Sequence, residues 1–425
     1  MIIKLNTLLA AVAFLAIAGC DASTGTAFFE QAPGGGGGGG SVGGSEATLL
    51  HEMPVFGGGV ITLEMNGGGT IAVYTATDDP LGDNPNGDVQ LFSIAVGAIA
   101  PFQISENTAD VFSFTGSFDV DDAGAEVVFV STQDLVGTNP GNAYNIFRAT
   151  VDGSTITQVT NSTTGFVRQV KISGDGSVIV FTTDSDLTGG NPLNDLQVFS
   201  MNADGTNIAQ VTIGATFAEK IAFSDDGQRI AWQGLRDPFG TNADGSREIF
   251  AINIDGTNHM QLTMSAGDSW DPRISDDGSR IAFGSRAAFP PEVNADGEYE
   301  VYVVNGDGTG MVRITDSDRE SGTSEGGALA SFDISGNGQW VVFTSEGDFA
   351  GTNPNNSHTI FWTSSGGSGI EQQIRDQTKP AGVVSLSADQ PRASNDGATF
   401  FYEASALYSS DSIGGGDKVF AHARQ

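Results

Sequence analysis

The chain has 425 residues, 52 of them acidic against 18 basic, which gives a formal net charge of −34. A field of that sign disfavours nucleic acid and anionic lipid surfaces as partners, while 39% hydrophobic against 16% charged residues argues against wholesale disorder. A single cysteine, Cys20, excludes a disulfide framework and any cysteine-rich metal site, and four scattered histidines leave little material for metal or acid–base chemistry.

At the N-terminus, Lys4 precedes an apolar stretch over residues 8–17, too short for a spanning helix, so residues 1–19 are expected to be a secretory signal. It ends in Ile17-Ala18-Gly19-Cys20, which resembles the lipobox of bacterial lipoproteins. The resemblance implies cleavage before Cys20, lipidation of its sulfur, and a place in the bacterial cell envelope, facing the periplasm or the cell surface. Residues 20–45 follow, rich in Gly, Ser, Ala and Thr with seven consecutive glycines over 34–40. Such a segment cannot offset its ordering entropy by burial, and a flexible tether reaching roughly 25–30 Å is expected.

From residue 46 to 425 one pattern recurs. A glycine followed five positions later by an aromatic residue stands at Gly69/Tyr74, Gly124/Phe129, Gly176/Phe181, Gly227/Trp232, Gly278/Phe283, Gly338/Phe343 and Gly397/Tyr402. An aliphatic–aromatic pair follows each, from Leu91-Phe92 and Ile146-Phe147 through to Val419-Phe420. Each unit reads as four strands. In the third, Val170-Lys171-Ile172-Ser173 alternates, Gly174-Asp175-Gly176 turns, and Ser177-Val178-Ile179-Val180-Phe181 returns as an apolar run suited to a strand covered on both faces. Repetition of such units predicts an all-β, seven-bladed β-propeller of four-stranded antiparallel blades. Only five residues follow Val419-Phe420, so the last unit lacks a fourth strand, and Ala47-Thr48-Leu49-Leu50-His51 is expected to supply it and close the ring.

Phrases such as Phe223-Ser224-Asp225-Asp226-Gly227-Gln228-Arg229-Ile230-Ala231-Trp232 and Pro272-Arg273-Ile274-Ser275-Asp276-Asp277-Gly278-Ser279-Arg280-Ile281-Ala282-Phe283 resemble the TolB-type, WD-like propeller repeat. The resemblance covers nearly all of residues 60–425. It implies a periplasmic or extracellular protein whose propeller serves as a protein-binding platform or as the accessory domain of a peptidase. TolB itself carries an additional α/β domain for which this chain has no room.

By strand direction, the short first-to-second and third-to-fourth turns share one face, and the longer connections emerge on the other, where recognition is expected. Those connections include Asp134-Leu135-Val136-Gly137-Thr138-Asn139-Pro140, its counterpart from Asp186, and Asp348-Phe349-Ala350-Gly351-Thr352-Asn353-Pro354. Their Asp, Asn, Gly and Pro suit a structural loop, and their oxygen-rich composition leaves calcium open as a cofactor; none has EF-hand spacing. On the innermost strands, equivalent positions hold Glu64, Asp119, Lys171, Ala222, Arg273, Asp333 and Arg392, with Lys220 on the same strand as Ala222. Two uses are open for this set: a channel mouth accepting an anionic ligand, or mutual ion pairing around a water-filled channel. Phe166, Phe217 and Trp270 fall in connections on the variable face, where exposed aromatics suit a protein interface or else plug the gaps between units, and Trp270 is the candidate anchor for a partner.

No serine sits on a strand-to-helix elbow and the histidines fall in different units, so no catalytic or metal-ligating residues are assigned. The expected function is non-catalytic protein or peptide binding by a monomer that meets the membrane only through its lipid. A propeller-scaffold enzyme of lyase or lactonase type and a carbohydrate-binding surface protein are the alternatives.

Overall fold

The computed structural model describes residues 48–53, 60–77, 87–98, 100–105, 117–214, 217–290, 294, 297–316, 331–345, 347, 349, 359–372, 387–405 and 417–424. The expected signal, Cys20 and the tether lie outside them. Every element among the described residues is a strand. After β1 (Thr48–Met53) come β2 (Val60–Met65), β3 (Ile71–Ala76), β4 (Gln90–Ala95) and β5 (Phe102–Gln103), then β6 (Phe118–Val120), β7 (Glu126–Ser131), β8 (Asn145–Thr150) and β9 (Ile156–Gln158). The third group is β10 (Val167–Ile172), β11 (Val178–Thr183), β12 (Gln197–Asn202) and β13 (Ala209–Gln210), and the fourth is β14 (Ala218–Phe223), β15 (Arg229–Gly234), β16 (Glu248–Asn253) and β17 (Met260–Gln261). The chain continues with β18 (Ser269–Ile274), β19 (Arg280–Ser285), β20 (Glu300–Asn305) and β21 (Val312–Arg313), then β22 (Phe332–Ile334), β23 (Trp340–Ser345), β24 (Thr359–Ser364) and β25 (Glu371–Gln372). It ends with β26 (Ser387–Ala393), β27 (Thr399–Ser405) and β28 (Asp417–Ala423).

Among the described residues these strands form seven four-stranded sheets: β2 to β5, β6 to β9, β10 to β13, β14 to β17, β18 to β21 and β22 to β25, each in chain order, and β1-β28-β27-β26. Every pairing is antiparallel, including β1 on β28. The fold is an all-β propeller built of four-stranded antiparallel blades. The expected closing strand over residues 47–51 falls at Thr48–Met53, aligned so that Leu49 faces His422 and Glu52 faces Phe420.

The two sequence marks are cross-strand partners. Phe181 of β11 is paired with Phe199 of β12, and their rings stack with centroids 5.8 Å apart. The same stack recurs at Tyr74/Phe92, Phe129/Phe147, Trp232/Phe250, Phe283/Tyr302 and Phe343/Phe361, at 5.4 to 5.7 Å. These rings are buried between neighbouring blades and form the core.

The glycine of each mark shapes the first-to-second turn. Gly176 has φ of 71°, a left-handed conformation that favours glycine. Beside it Ser173 Oγ accepts the Val178 N–H at 3.0 Å and donates to Asp175 Oδ1 at 2.7 Å, so the turn's polar groups are satisfied locally. Ser224, Ser275, Ser335 and Ser394 accept the equivalent N–H in their blades.

These inner turns are laced into a belt around the axis. Backbone N–H groups of Asp122, Gly174, Asp226, Asp276, Asn337 and Asn395 donate to the carbonyls of Gly174, Asp225, Asp276, Gly336, Asn395 and Gly67 respectively, at 2.7 to 3.0 Å. Asn66 Nδ2 donates to the Asp122 carbonyl at 2.9 Å, which carries the lacing from the β2 sheet back to the β6 sheet.

Candidate functional site

Strand alternation turns Glu64, Asp119, Lys171, Ala222, Arg273, Asp333 and Arg392 toward the axis, where they line a cavity of about 120 Å³ just above the belt. The charged members are paired with one another. Lys171 Nζ lies 3.1 Å from Glu64 Oε1 and 3.1 Å from Asp119 Oδ1. Arg392 Nε lies 2.7 Å from Glu64 Oε2, and Arg273 Nε lies 3.9 Å from Asp333 Oδ1 while donating to the Phe332 carbonyl at 3.4 Å. Of the two uses left open by the sequence, the geometry is that of mutual pairing. Burial alone would raise the Glu64 carboxyl, but Arg392 and Lys171 outweigh it and hold the group well below the usual carboxylate range. Burial likewise opposes the charge on Lys171, and Asp119 and Glu64 overcome that to raise it.

The same side chains cap the open edge of the next innermost strand. Asp119 Oδ2 accepts the Ile172 N–H at 2.9 Å, and Asp333 Oδ2 accepts the Ala393 N–H at 3.1 Å. Two residues earlier on their strands, Ser117, Gln169, Ser331 and Gln390 accept N–H groups of Val170, Ile221, Gln390 and Leu63. An innermost strand has no sheet neighbour on its axial side, so polar residues are needed there to satisfy its backbone.

A second layer was not singled out from the sequence. Asp122, Asp225, Asp276 and Asn395 line the same cavity at the belt. Asn395 Nδ2 donates to Asp122 Oδ1 at 3.1 Å and Asp225 Oδ2 at 3.4 Å. The equivalent positions in other blades are glycines because space is short: a Cβ on Gly174 would lie 2.3 Å from Asp122 Oδ2, and one on Gly336 would lie 2.1 Å from Asp276 Oδ1. Burial, reinforced by Asp122 and Asp276, pushes the Asp225 carboxyl up to about 9; burial also leads the rise of Asp276 to about 6. These residues share one repeat position, directly after Asp121, Ser224, Ser275 and Ser394, while their convergence depends on how turns of different blades meet.

Lys220 stands apart from the ring, half exposed and paired with Asp271, whose φ of 53° marks a bulge in β18. Trp270 corrects the expectation of an exposed anchor in a connection. It lies within β18, half-buried, with its ring 5.5 Å from that of Tyr299. Phe166 packs edge-on against Tyr144 at 4.6 Å, and Phe217 is half-buried under the Arg236 guanidinium. Among the described residues, the exposed large hydrophobics in connections of the variable face are others: Val136, Leu193, Ile213, Phe239 and Met264.

The Asp/Asn loops bond to themselves. Asp134 Oδ1 accepts the Asn139 N–H at 2.7 Å, and Asp186 Oδ1 accepts that of Asn191 at 2.9 Å. Asn139 Nδ2 donates to the carbonyls of Thr132 and Ala143. The third loop, at 348–354, falls almost entirely outside the described residues. Among those residues no group of three or more His, Cys, Asp or Glu is arranged to hold a metal. His259 lies between Trp232 and Phe239, at 5.2 and 4.5 Å, while His51 and His422 belong to β1 and β28.

No protein-family model matches this chain. It is similar to a TolB homolog of Chlorobium chlorochromatii, 26% identical over 235 residues, which cover 52% of this chain and 47% of the relative. The chain thus spans about half the length of that relative. Among solved structures it is similar to an oligogalacturonate lyase in complex with manganese, with a TM-score of 0.53 and 11% identity over 89% of this chain and 98% of the other. The oligogalacturonate lyase of Vibrio parahaemolyticus gives a TM-score of 0.52 at 10% identity over 86% and 98%. These two likenesses concern the fold alone. The sequence likeness and the repeat phrases together support a β-propeller of TolB type.

Proposed function

We propose that this chain is a lipid-anchored protein of the bacterial cell envelope whose closed, seven-bladed propeller binds a protein or peptide partner without catalysis. The state of the axial channel carries the reading. Its ring of three carboxylates and three cations is internally paired, and a cavity of about 120 Å³ is well below the roughly 300 Å³ at which pockets begin to enclose small ligands. Recognition therefore falls to the face of long connections, where a partner covers surface rather than entering a pocket. The likeness to a TolB homolog supports an envelope role. Cys20 carries the lipid, residues 20–45 form the tether, and the acidic body stays monomeric through self-repulsion.

Chemical cross-linking in the native envelope, followed by identification of the joined protein, tests the binding role. A protein recovered with the wild type and lost on Cys20→Ser ties that role to the anchor. Recovery of no protein overturns the reading. The lyase alternative has the fold likeness in its favour, and cleavage of oligogalacturonate by the purified protein would displace the non-catalytic assignment.

A further inference from the structure

We infer that the connection face of the β10–β13 and β14–β17 blades docks a basic, amphipathic segment of a protein partner; the inference rests on the protein-binding reading above. Among the described residues six large hydrophobic side chains are exposed, and five stand in second-to-third or fourth-to-first connections, hence on one face. Four of the five belong to these two adjacent blades. Leu193 is 82% exposed, Ile213 78%, Met264 66% and Phe239 40%. Single exposed hydrophobics are ordinary on any surface; their concentration on one face of neighbouring blades is what distinguishes these.

The residues are held on a preorganised platform. Arg236, next to the Phe239 loop, pairs with Asp195 of the Leu193 loop at 3.4 Å. Gln197 donates to the carbonyl of Gly214 beside Ile213, and Ser246 Oγ donates to that of Ser265 beside Met264 at 3.0 Å. Asn191 and Asn242 are buried and tie each loop's ends together through bonds to the carbonyls of Asp195 and Ser246, both at 2.8 Å. Loop backbone fixed in this way loses little entropy when a partner covers it.

Charge decides the occupant. A second copy of this chain carries the same net charge of −34 and is repelled, as is an anionic bilayer surface. Around the apolar group, Asp186 and Asp244 are exposed, whereas the cations of these loops are already engaged, Arg236 with Asp195 and Arg247 with Glu219 and Asp268. A partner that supplies apolar side chains and Lys or Arg together meets both features.

The test uses a short synthetic helical peptide with Leu on one face and Lys on the other, titrated against the full-length protein. Saturable binding that weakens as salt rises is expected, and the triple substitution Leu193→Ser, Ile213→Ser, Met264→Ser should weaken it at least tenfold. Phe102→Ser, on a β5 residue outside this face, should leave it unchanged. Equal binding by a peptide with Glu in place of Lys, or wild-type affinity in the triple variant, overturns the inference. A photo-cross-linker placed at Leu193 or at Lys220 in the native envelope separates the two levels. Protein joined from Lys220 but not from Leu193 leaves the binding-platform reading standing and removes this one; protein joined from neither position removes both.

Discussion

Arg392 and Glu64 are 328 positions apart in the chain and 2.7 Å apart in space, so one buried ion pair joins the last innermost strand to the first. Glu64 also holds Lys171 at 3.1 Å, and its loss leaves two cations at the axis without their shared partner. Breaking a buried pair by removing one member typically costs about 3–5 kcal/mol. Glu64→Gln should therefore lower the free energy of unfolding by about 3 kcal/mol in denaturant titration. The double variant Glu64→Gln, Arg392→Met should recover part of that loss. An unchanged midpoint in the single variant would show that the ring contributes nothing to closure.

The Phe181–Phe199 stack makes a second prediction. Both rings are buried, and Phe181→Ala empties a space that neighbouring blades cannot refill. A loss of about 3–5 kcal/mol is expected, against less than about 1.5 kcal/mol for Phe181→Leu. Equal stabilities for the two variants would mean that the aromatic repeat is not a packing device.

That stack also explains why so much of the fold was legible in the sequence. A cross-strand pair of rings requires large aromatics at a fixed register in every blade, and Gly176 with its left-handed φ marks the turn between the strands. Period-two alternation likewise identified the axial side of Lys171 and Arg273. It could not say whether those charges pair, because pairing depends on which blades stand beside each other around the ring. Trp270 was misread for a different reason. Register in β18 shifts between Trp270 and Arg273, so the strand begins earlier than alternation suggests. Tyr299 then lies against Gly284, where a Cβ would come 1.8 Å from its hydroxyl, and Trp270 packs on Tyr299. The Asp122, Asp225 and Asp276 layer depends on close approach of turns from different blades, a relation that no local pattern records.

The pairing of β1 with β28 yields a third expectation. β1 is the outer strand of a sheet whose other three members come from the end of the chain, and without it β28 becomes an open edge. A variant lacking residues 48–53 should melt several degrees lower and form oligomers on size-exclusion chromatography at concentrations where the parent is monodisperse. Identical melting and elution would remove β1 from any part in closure.

The acidic layer at the belt predicts an unusual pH response. Asp225 is pushed up to about 9 by burial and by Asp122 and Asp276, and burial likewise heads the causes that bring Asp276 to about 6. In the unfolded chain such groups titrate near 4, so folding takes up protons between the two values. Stability from these protonated groups is fully present below about pH 4 and is lost as pH rises through their folded pKa values. Asp276 contributes its share of that loss by about pH 6, and Asp225 continues it to about pH 9. Lys171 and Arg392 face the same cavity and stay charged across this range, with pKa values raised by their carboxylate partners despite burial. Asp225→Asn keeps the shape and the hydrogen bonds while removing the titration. The wild type should lose melting temperature between about pH 5 and about pH 9, and Asp225→Asn should be more stable by a few degrees at the alkaline end with a flatter profile. Parallel profiles for the two proteins would mean that Asp225 is ionised in the folded state at neutral pH.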